Sequence, residues 1–202
     1  MAQIGLKYLI CAPITETPTT VSYSGGLVMS YAIKTDLSID VNDVKLYGDD
    51  RIVENIKEFK TGKLTLNGDH LEYEVLALIL GHKVEVITPG SGQKLTAKGD
   101  DDGTPVGVGF YSTTIKDNKR RFRAIWLRKV KFGIPNESLE TKGDNISFQT
   151  PTIEGAILTD VLGIWKEEAT FDTEAAARAW LNDQAKIEET EPIIRRAATN
   201  GK

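Results

Sequence analysis

The sequence predicts a mainly β protein of the α+β class, with one central helix, a long β-hairpin arm and a short C-terminal helix. Segments rich in β-branched and aromatic residues recur between Gly, Pro and Asp turns, which is typical of strands with one packed face. Residues 121–132 are the clearest case, because apolar and cationic side chains interleave there until Gly133-Ile134-Pro135-Asn136 breaks the strand. At 202 residues, one domain with a sizeable core is expected.

The first third of the chain predicts strands that lead into an extended arm. Residues 4–10 form a first strand that ends at Ala12-Pro13, and strands at residues 28–34 and 37–41 follow. Residues 44–47 continue extended to the turn signal Gly48-Asp49-Asp50, after which residues 51–60 return and residues 63–67 alternate again. Residues 36–60 therefore form a long hairpin arm, which is longer than one core strand needs.

Residues 69–81 have the pattern of a helix. Asp69 can cap its start, with Glu72 as the reciprocal partner three residues later, and Gly81 supplies a left-handed stop. The helix carries two apolar stripes, one of Leu71, Val75, Leu78 and Ile79 and one of Tyr73, Leu76, Ala77 and Leu80. Such a helix needs cover on two sides, and a neighbouring subunit can provide the second.

The rest of the chain predicts further strands and a terminal helix. Strands are expected at residues 84–88, 105–113, 122–132, 146–149 and 148–158, the last interrupted at Pro151. Asp172 or Thr173 caps a short helix whose apolar side carries Ala176, Ala177, Trp180 and Leu181. Pro192 ends any continuation, and residues 195–202 form a loose tail. We divide the chain into a β domain, residues 1–165 with its helix at 69–81, and a C-terminal helix and tail, residues 166–202.

Composition argues against several classes of protein. A net charge of -4 and a pI near 5.3 do not suit a dedicated nucleic-acid binder. A single cysteine, Cys11, rules out an internal disulfide and suits a reducing cytoplasm. No secretory signal or membrane span is expected, because the first residues lack an apolar core and the longest apolar run, 75–80, is too short. One local basic cluster, which we interpret as a solvated face or a partner contact, comprises Arg120, Arg121, Arg123, Arg128, Lys129 and Lys131.

No residue pattern favours an enzyme, a cofactor or a metal. Nothing places His70 or His82 beside Cys11 as a catalytic base. We interpret the two histidines as residues at helix ends and Cys11 as a buried thiol. Asp100-Asp101-Asp102-Gly103 lacks the alternating acids of a calcium loop, and a solvated turn is expected. Gly107-Val108-Gly109 leads into a strand, whereas a dinucleotide motif opens a helix. These glycines are expected to relieve crowding where sheets pack or bend.

Several segments, in this order, resemble the major tail proteins of long-tailed, siphovirus-type phages of Gram-positive bacteria. The segments are Ile4-Gly5-Leu6-Lys7-Tyr8 with Ala12-Pro13, Leu46-Tyr47-Gly48-Asp49-Asp50, the helix with its Leu80-Gly81 stop, Pro105-Val106-Gly107-Val108-Gly109-Phe110, Trp126-Leu127-Arg128-Lys129-Val130-Lys131-Phe132, Thr141-Lys142-Gly143-Asp144 and Phe148-Gln149-Thr150-Pro151-Thr152-Ile153. They spread over most of residues 1–158, and their joint order carries the resemblance. The Trp165 region and the helix at 171–181 resemble the ending of that family.

The resemblance implies a tail-tube fold, in which two antiparallel β-sheets pack as a sandwich or half-barrel beside one helix. It implies a structural virion protein that is made and assembled in the host cytoplasm and acts in the virion tail. Subunits would close into hexameric rings that stack into a hollow tube. DNA would pass through the lumen without specific recognition, and the partners would be other copies, a tape-measure protein and the tail terminator and tip proteins. No membrane is involved.

Two surfaces follow from the arm, the helix and the resemblance. We predict that the arm mediates ring-to-ring stacking through Asp43, Val44, Leu46, Tyr47, Asp49, Asp50, Arg51 and Val53. Tyr73, Leu76 and Leu80 are predicted to lie at or near a subunit boundary. The basic cluster is expected to point away from the lumen or to pair with acids, because a lumen that binds phosphates tightly would stall DNA.

Two alternatives remain open from the sequence. One is the secreted tube protein of a contractile injection machine, which has the same general fold. The other is a β-sandwich that binds carbohydrate, for which Tyr23, Tyr31 and Trp165 could line a groove.

Overall fold

In the computed structural model, the chain is described over residues 2–87, 92–116, 119–135 and 150–188. It contains eleven strands and two helices in these ranges, in the order β1 (Ala2–Glu16), β2 (Val21–Tyr23), β3 (Leu27–Ser30), β4 (Ala32–Gly48), β5 (Arg51–Gly68), α1 (Tyr73–Leu80), β6 (Lys83–Ile87), β7 (Gly92–Thr96), β8 (Val106–Lys116), β9 (Lys119–Phe132), β10 (Thr152–Leu158), β11 (Lys166–Phe171) and α2 (Glu174–Ala185). The predicted strand at 146–149 and the predicted tail at 195–202 lie outside the described residues.

The strands form two antiparallel sheets, which confirms the mainly β, α+β class. The large sheet has nine strands, with the path β2-β1-β8-β9-β10-β5-β4, while β3 also pairs with β1 and β11 also pairs with β9. Strands β6 and β7 form a separate hairpin. The hairpin arm is confirmed as β4 and β5, which pair from Ala32 and Gly68 to Gly48 and Arg51.

The large sheet curls until its two ends approach each other. Strand β3 lies beside β1 at one end of the sheet, β4 forms the other end, and Tyr31 alone separates β3 from β4 in the chain. Leu9 and Cys11 from β1 therefore share one buried cluster with Leu64 and Ile153 from β5 and β10. Facing halves of one curled sheet thus enclose the main core, as the two layers of a sandwich do.

Each helix covers one face of this sheet. Val75, Ile79 and Leu80 of α1 lie in the main core. On the opposite face, α2 packs Ala177 and Leu181 against a second buried cluster that includes Trp126. The central strands are consequently buried on both faces, which explains their long apolar runs.

The central helix begins later than predicted. It starts at Tyr73 rather than at residue 69, and Glu72 occupies the N-cap in an extended conformation without a side-chain cap. The Asp69 carboxylate instead accepts the N–H of Tyr31 at 2.9 Å, and the Asp69 N–H donates to the Tyr31 carbonyl at 3.2 Å. Asp69 therefore joins β5 to the β3–β4 link. The predicted stop is confirmed, since Gly81 has a φ of 76°.

The first strand continues through Pro13, where the sequence predicted its end. The β3 ladder reaches Cys11 and the β2 ladder begins at Ile14, so Pro13 lies between the two partners on that side. The N–H of Ile14 points to the other side and donates to the Pro105 carbonyl at 3.3 Å. Because proline has no N–H to donate, it leaves no hydrogen bond unmade in this gap, and β1 can continue through Pro13.

The C-terminal segment is less separate than the predicted division at residue 165. Residues 166–171 form β11, which pairs with β9 from Leu127 to Phe122. Helix α2 starts where predicted, because the Thr173 side chain accepts the N–H of Ala176. Sheet and helix thus extend one folded unit beyond the expected boundary.

Candidate assembly surface

The outer half of the β4–β5 arm projects from the body as a two-stranded ribbon. Strand β10 pairs with β5 only between Gly62 and Asn67. Between Arg51 and Thr61, β4 is the one described strand that pairs with β5. All side chains of residues 40–47 and 49–58 are exposed. Both edges and both faces of this ribbon are therefore open to solvent.

The turn at the arm tip suits a tight hairpin. Asp49 and Asp50 have φ values of 49° and 61°. Two consecutive positive φ angles are the signature of a type I′ turn, whose twist matches the twist of paired strands. Aspartate tolerates this conformation better than most side chains do. The local sequence thus supports the extended ribbon up to its end.

Apolar side chains lie on both faces of the ribbon. Val44 stands opposite Ile56, and Leu46 shares their face two residues along β4. Tyr47 stands opposite Ile52 on the other face. Val44 and Tyr47 are 64% and 65% exposed. A ribbon of two strands is marginally stable in water, and contiguous exposed apolar residues mark interaction surfaces.

A ring stack fixes the base of the arm. Phe59 lies parallel to Trp165, with 4.7 Å between ring centroids and 4° between the planes. The registers of β4 and β5 shift between Asp40 and Val41, just beside this stack. Such a bulge increases the local twist and redirects a strand. The arm therefore leaves the sheet at a defined point.

Trp165 ends an ordered loop at residues 159–165, which we call the 160s loop. The Asp160 carboxylate accepts the N–H groups of Leu162 and Ile164, both at 2.9 Å. Its other oxygen accepts Nε and Nη2 of Arg128, both at 2.8 Å. The Asp160 side chain is fully buried, and Arg128 also contacts Glu167 at 2.9 Å. A buried ion pair with satisfied oxygens holds the loop in one conformation.

The predicted arm residues all lie on the projecting ribbon. Four are on β4 (Asp43, Val44, Leu46, Tyr47), two form the turn (Asp49, Asp50) and two are on β5 (Arg51, Val53). Asp43 contacts Lys57 at 3.7 Å across the strands. The exposed apolar members and the open edges make this ribbon the candidate assembly surface.

The predicted helix residues differ in exposure. Leu80 is 6% exposed and belongs to the main core of its own subunit. Leu76 is half-buried and packs against that core, whereas Tyr73 is 39% exposed. Of these three residues, Tyr73 and Leu76 therefore present surface to a neighbour and Leu80 does not.

Most of the basic cluster is paired with acids, as expected. Five of its six members form ion pairs, namely Arg121 with Asp172, Arg123 with Glu168, Arg128 with Asp160, Lys129 with Glu16 and Lys131 with Asp102. These pairs leave little unbalanced positive charge on the β9 ribbon for binding phosphates.

The residues weighed as catalytic lie apart in structural roles. Cys11 is in the main core, and burial raises the pKa of its thiol to about 12. His70 pairs with Asp69 and Glu72 before α1, and His82 pairs with Asp101 after it. Hydrogen bonds from the Lys98 N–H, the larger effect, and from the His82 ring lower the pKa of Asp101. Among the described residues, no three His, Cys, Asp or Glu side chains converge as a metal site.

The aromatic residues considered for carbohydrate binding are mostly unavailable. Tyr23 is buried edge-on against Trp126 and donates to the Arg128 carbonyl at 2.8 Å. Trp165 is half-buried under Phe59, while Tyr31 is 80% exposed.

The sequence reasoning missed the 160s loop. The sequence feature that could have indicated this loop is the apolar run Val161-Leu162-Gly163-Ile164, which follows Asp160. Val161 and Leu162 are 46% and 49% exposed.

Comparison of the chain with known protein families found no match, and comparison with curated proteins found none either. In the described part of the chain, neither helix has the length and apolar character to cross a bilayer.

Proposed function

We propose that this protein is a structural subunit that assembles with copies of itself into stacked, hexameric rings, which form the hollow tail tube of a phage. The observation that carries the proposal is the projecting β4–β5 ribbon, whose edges are open and whose apolar side chains are exposed on both faces. Open strand edges favour association in a free monomer. Stacked rings of identical copies can provide such edges with a partner, through a heterologous contact.

The arm is the proposed contact between rings. Its free part extends from the Val41–Phe59 pair to the Gly48–Arg51 pair, which is roughly 23 Å at the usual rise of a strand. This reach takes Tyr47 and Ile52 well beyond the body of the subunit. In a stack, they would be covered by the next ring.

The surface of α1 is the proposed contact within a ring. Tyr73 is exposed and Leu76 is only partly buried against the core, so covering them would remove more apolar area from water.

Charge supports a conduit for DNA. The chain carries a net charge of -4, and five members of the β9 basic cluster are neutralised by carboxylates. A wall with little unbalanced positive charge binds few phosphates, so DNA can slide past it.

Electron microscopy of the purified protein at rising concentration tests the proposal, since rings or hollow tubes would be visible directly. An arm-tip deletion removes residues 44–56 and joins Asp43 to Lys57 through Asn-Gly, a sequence that suits a two-residue turn. We expect a folded, soluble protein that no longer polymerises. Val86→Ser is the matched control, because Val86 is 72% exposed but lies on β6. Tubes of normal appearance from the deletion variant would refute the assignment of the arm.

A further inference from the structure

The 160s loop has a fixed backbone and presents apolar side chains to solvent. Val161, Leu162 and Ile164 are 46%, 49% and 36% exposed. Residues 161–165 contain no charged side chain. An exposed apolar cluster of this kind on a fixed backbone loses little conformational entropy when a partner covers it.

The contacts that hold this loop come from distant parts of the chain. Besides the Arg128–Asp160 ion pair, the Glu16 carboxylate accepts the N–H of Val161 at 3.0 Å. Glu16 also binds Lys129 on β9. Two buried or half-buried acids therefore fix the loop backbone and leave the Val161 and Leu162 side chains outside.

We propose that the 160s loop is the docking site for the arm tip of a second copy of this chain. The loop is continuous with the arm base, because its last residue, Trp165, stacks on Phe59. The arm tip of the same copy cannot cover the loop, since Tyr47 and Ile52 lie roughly 20 Å farther along the ribbon. The arm tip and the loop are two different surfaces, so their contact is heterologous and can repeat from copy to copy.

The chemistry of the two surfaces is matched. The tip carries Leu46, Tyr47, Ile52 and Val53, which are 51% to 65% exposed. Its charged turn residues Asp49 and Asp50 project beyond them, where they can stay in water. In the assembled state the apolar tip of one arm would lie at the base of the next arm. This inference rests on the proposed self-assembly and adds the receiving surface.

Cysteine cross-linking tests the contact. One sample of protein carries Ile52→Cys and a second carries Leu162→Cys; the two are mixed, assembled and oxidised with copper phenanthroline. Cys11 is buried and gives little background. The control mixture pairs Ile52→Cys with Val86→Cys, since Val86 is also strongly exposed. We expect at least tenfold more mixed dimer from the 52–162 mixture than from the 52–86 mixture.

The outcomes separate this inference from the proposed function. If tubes form but the 52–162 dimer is no more abundant than the 52–86 dimer, the docking site is wrong and self-assembly stands. If unmodified protein forms no assembly at any concentration, both proposals fail. A Leu162→Asp variant gives a second measurement: it should keep the melting temperature of the monomer and lose polymerisation, whereas normal tubes from it would overturn the docking site.

Discussion

At the scale of single residues, two glycines decide how the sheet packs around its largest buried side chain. Trp126 is fully buried and lies across from Gly109 on β8. A Cβ at Gly107 would lie 2.3 Å from Cζ2 of Trp126, and one at Gly109 would lie 2.7 Å from its Cε3. The expectation that these glycines relieve crowding is therefore confirmed, and the glycines are needed for space.

Gly107→Ala should lower the free energy of unfolding by about 1–3 kcal/mol, which is the usual cost of overpacking a core. Gly99→Ala is the control, because a Cβ at Gly99 meets nothing within 4 Å. Urea denaturation followed by tryptophan fluorescence measures both variants. Equal stability of the two would show that Trp126 can move aside.

His70 is predicted to make stability depend weakly on pH. Hydrogen bonds to Glu72 and then to Asp69 raise its pKa above 6.5. A raised pKa means that the folded state holds the proton more tightly, so the stabilisation is complete below about pH 6.5 and is lost as the pH rises through the folded-state pKa. The effect should be small, because the His70 side chain is half exposed.

An NMR titration of the His70 ring checks this prediction. Glu72→Gln should shift the pKa of His70 down towards 6.5, since it removes the first of the two charged acceptors. Glu74→Gln, two residues farther along the chain, is the control and should leave the pKa of His70 unchanged. A titration of His70 that Glu72→Gln does not change would contradict the assignment.

At the scale of elements, the 160s loop depends on one buried ion pair. Arg128 lies where the register of β8 and β9 shifts between Val106 and Val108, and its N–H donates to the Trp165 carbonyl at 3.0 Å. Its guanidinium reaches Asp160, whose side chain is fully buried. One residue therefore connects β9, the loop and the base of the arm.

Arg128→Leu should destabilise the protein by about 3–5 kcal/mol, because it leaves the Asp160 carboxylate buried without a cation. Arg121→Leu is the control, since Arg121 and Asp172 are both exposed and such a pair contributes roughly 0–1 kcal/mol. Thermal unfolding followed by circular dichroism compares the two variants. A loss below about 1 kcal/mol for Arg128→Leu would mean that the buried ion pair contributes little to stability.

At the scale of the whole molecule, assembly should stabilise the folded state. A partner that binds only the native chain raises the melting temperature by mass action. We therefore expect the melting temperature to rise with protein concentration. The arm-tip deletion should weaken this dependence, because it removes the proposed contact between rings and leaves the α1 contact within a ring. Differential scanning fluorimetry over a hundredfold dilution series measures it, and a constant melting temperature for the full chain would argue against self-association.

Short-range patterns in the sequence determined most of the strands, the arm, the stop at Gly81 and the cap at Thr173, but they did not predict β2, β7 or β11. These features depend on alternation, turn residues and capping, which act over a few neighbouring positions. The gap that accommodates Pro13, the Asp69–Tyr31 contact and the β9–β11 pairing were decided by the tertiary structure alone.

One part of the candidate surface could likewise be predicted from the sequence, and another part could not. The exposed arm could be predicted because its length and its turn are local properties. The 160s loop could not, since its conformation depends on Arg128 and Glu16, which are 32 and 145 residues away in the chain from the groups they bind. Pairing between distant residues leaves no periodic signal in the sequence, and only the curled sheet brings these groups together.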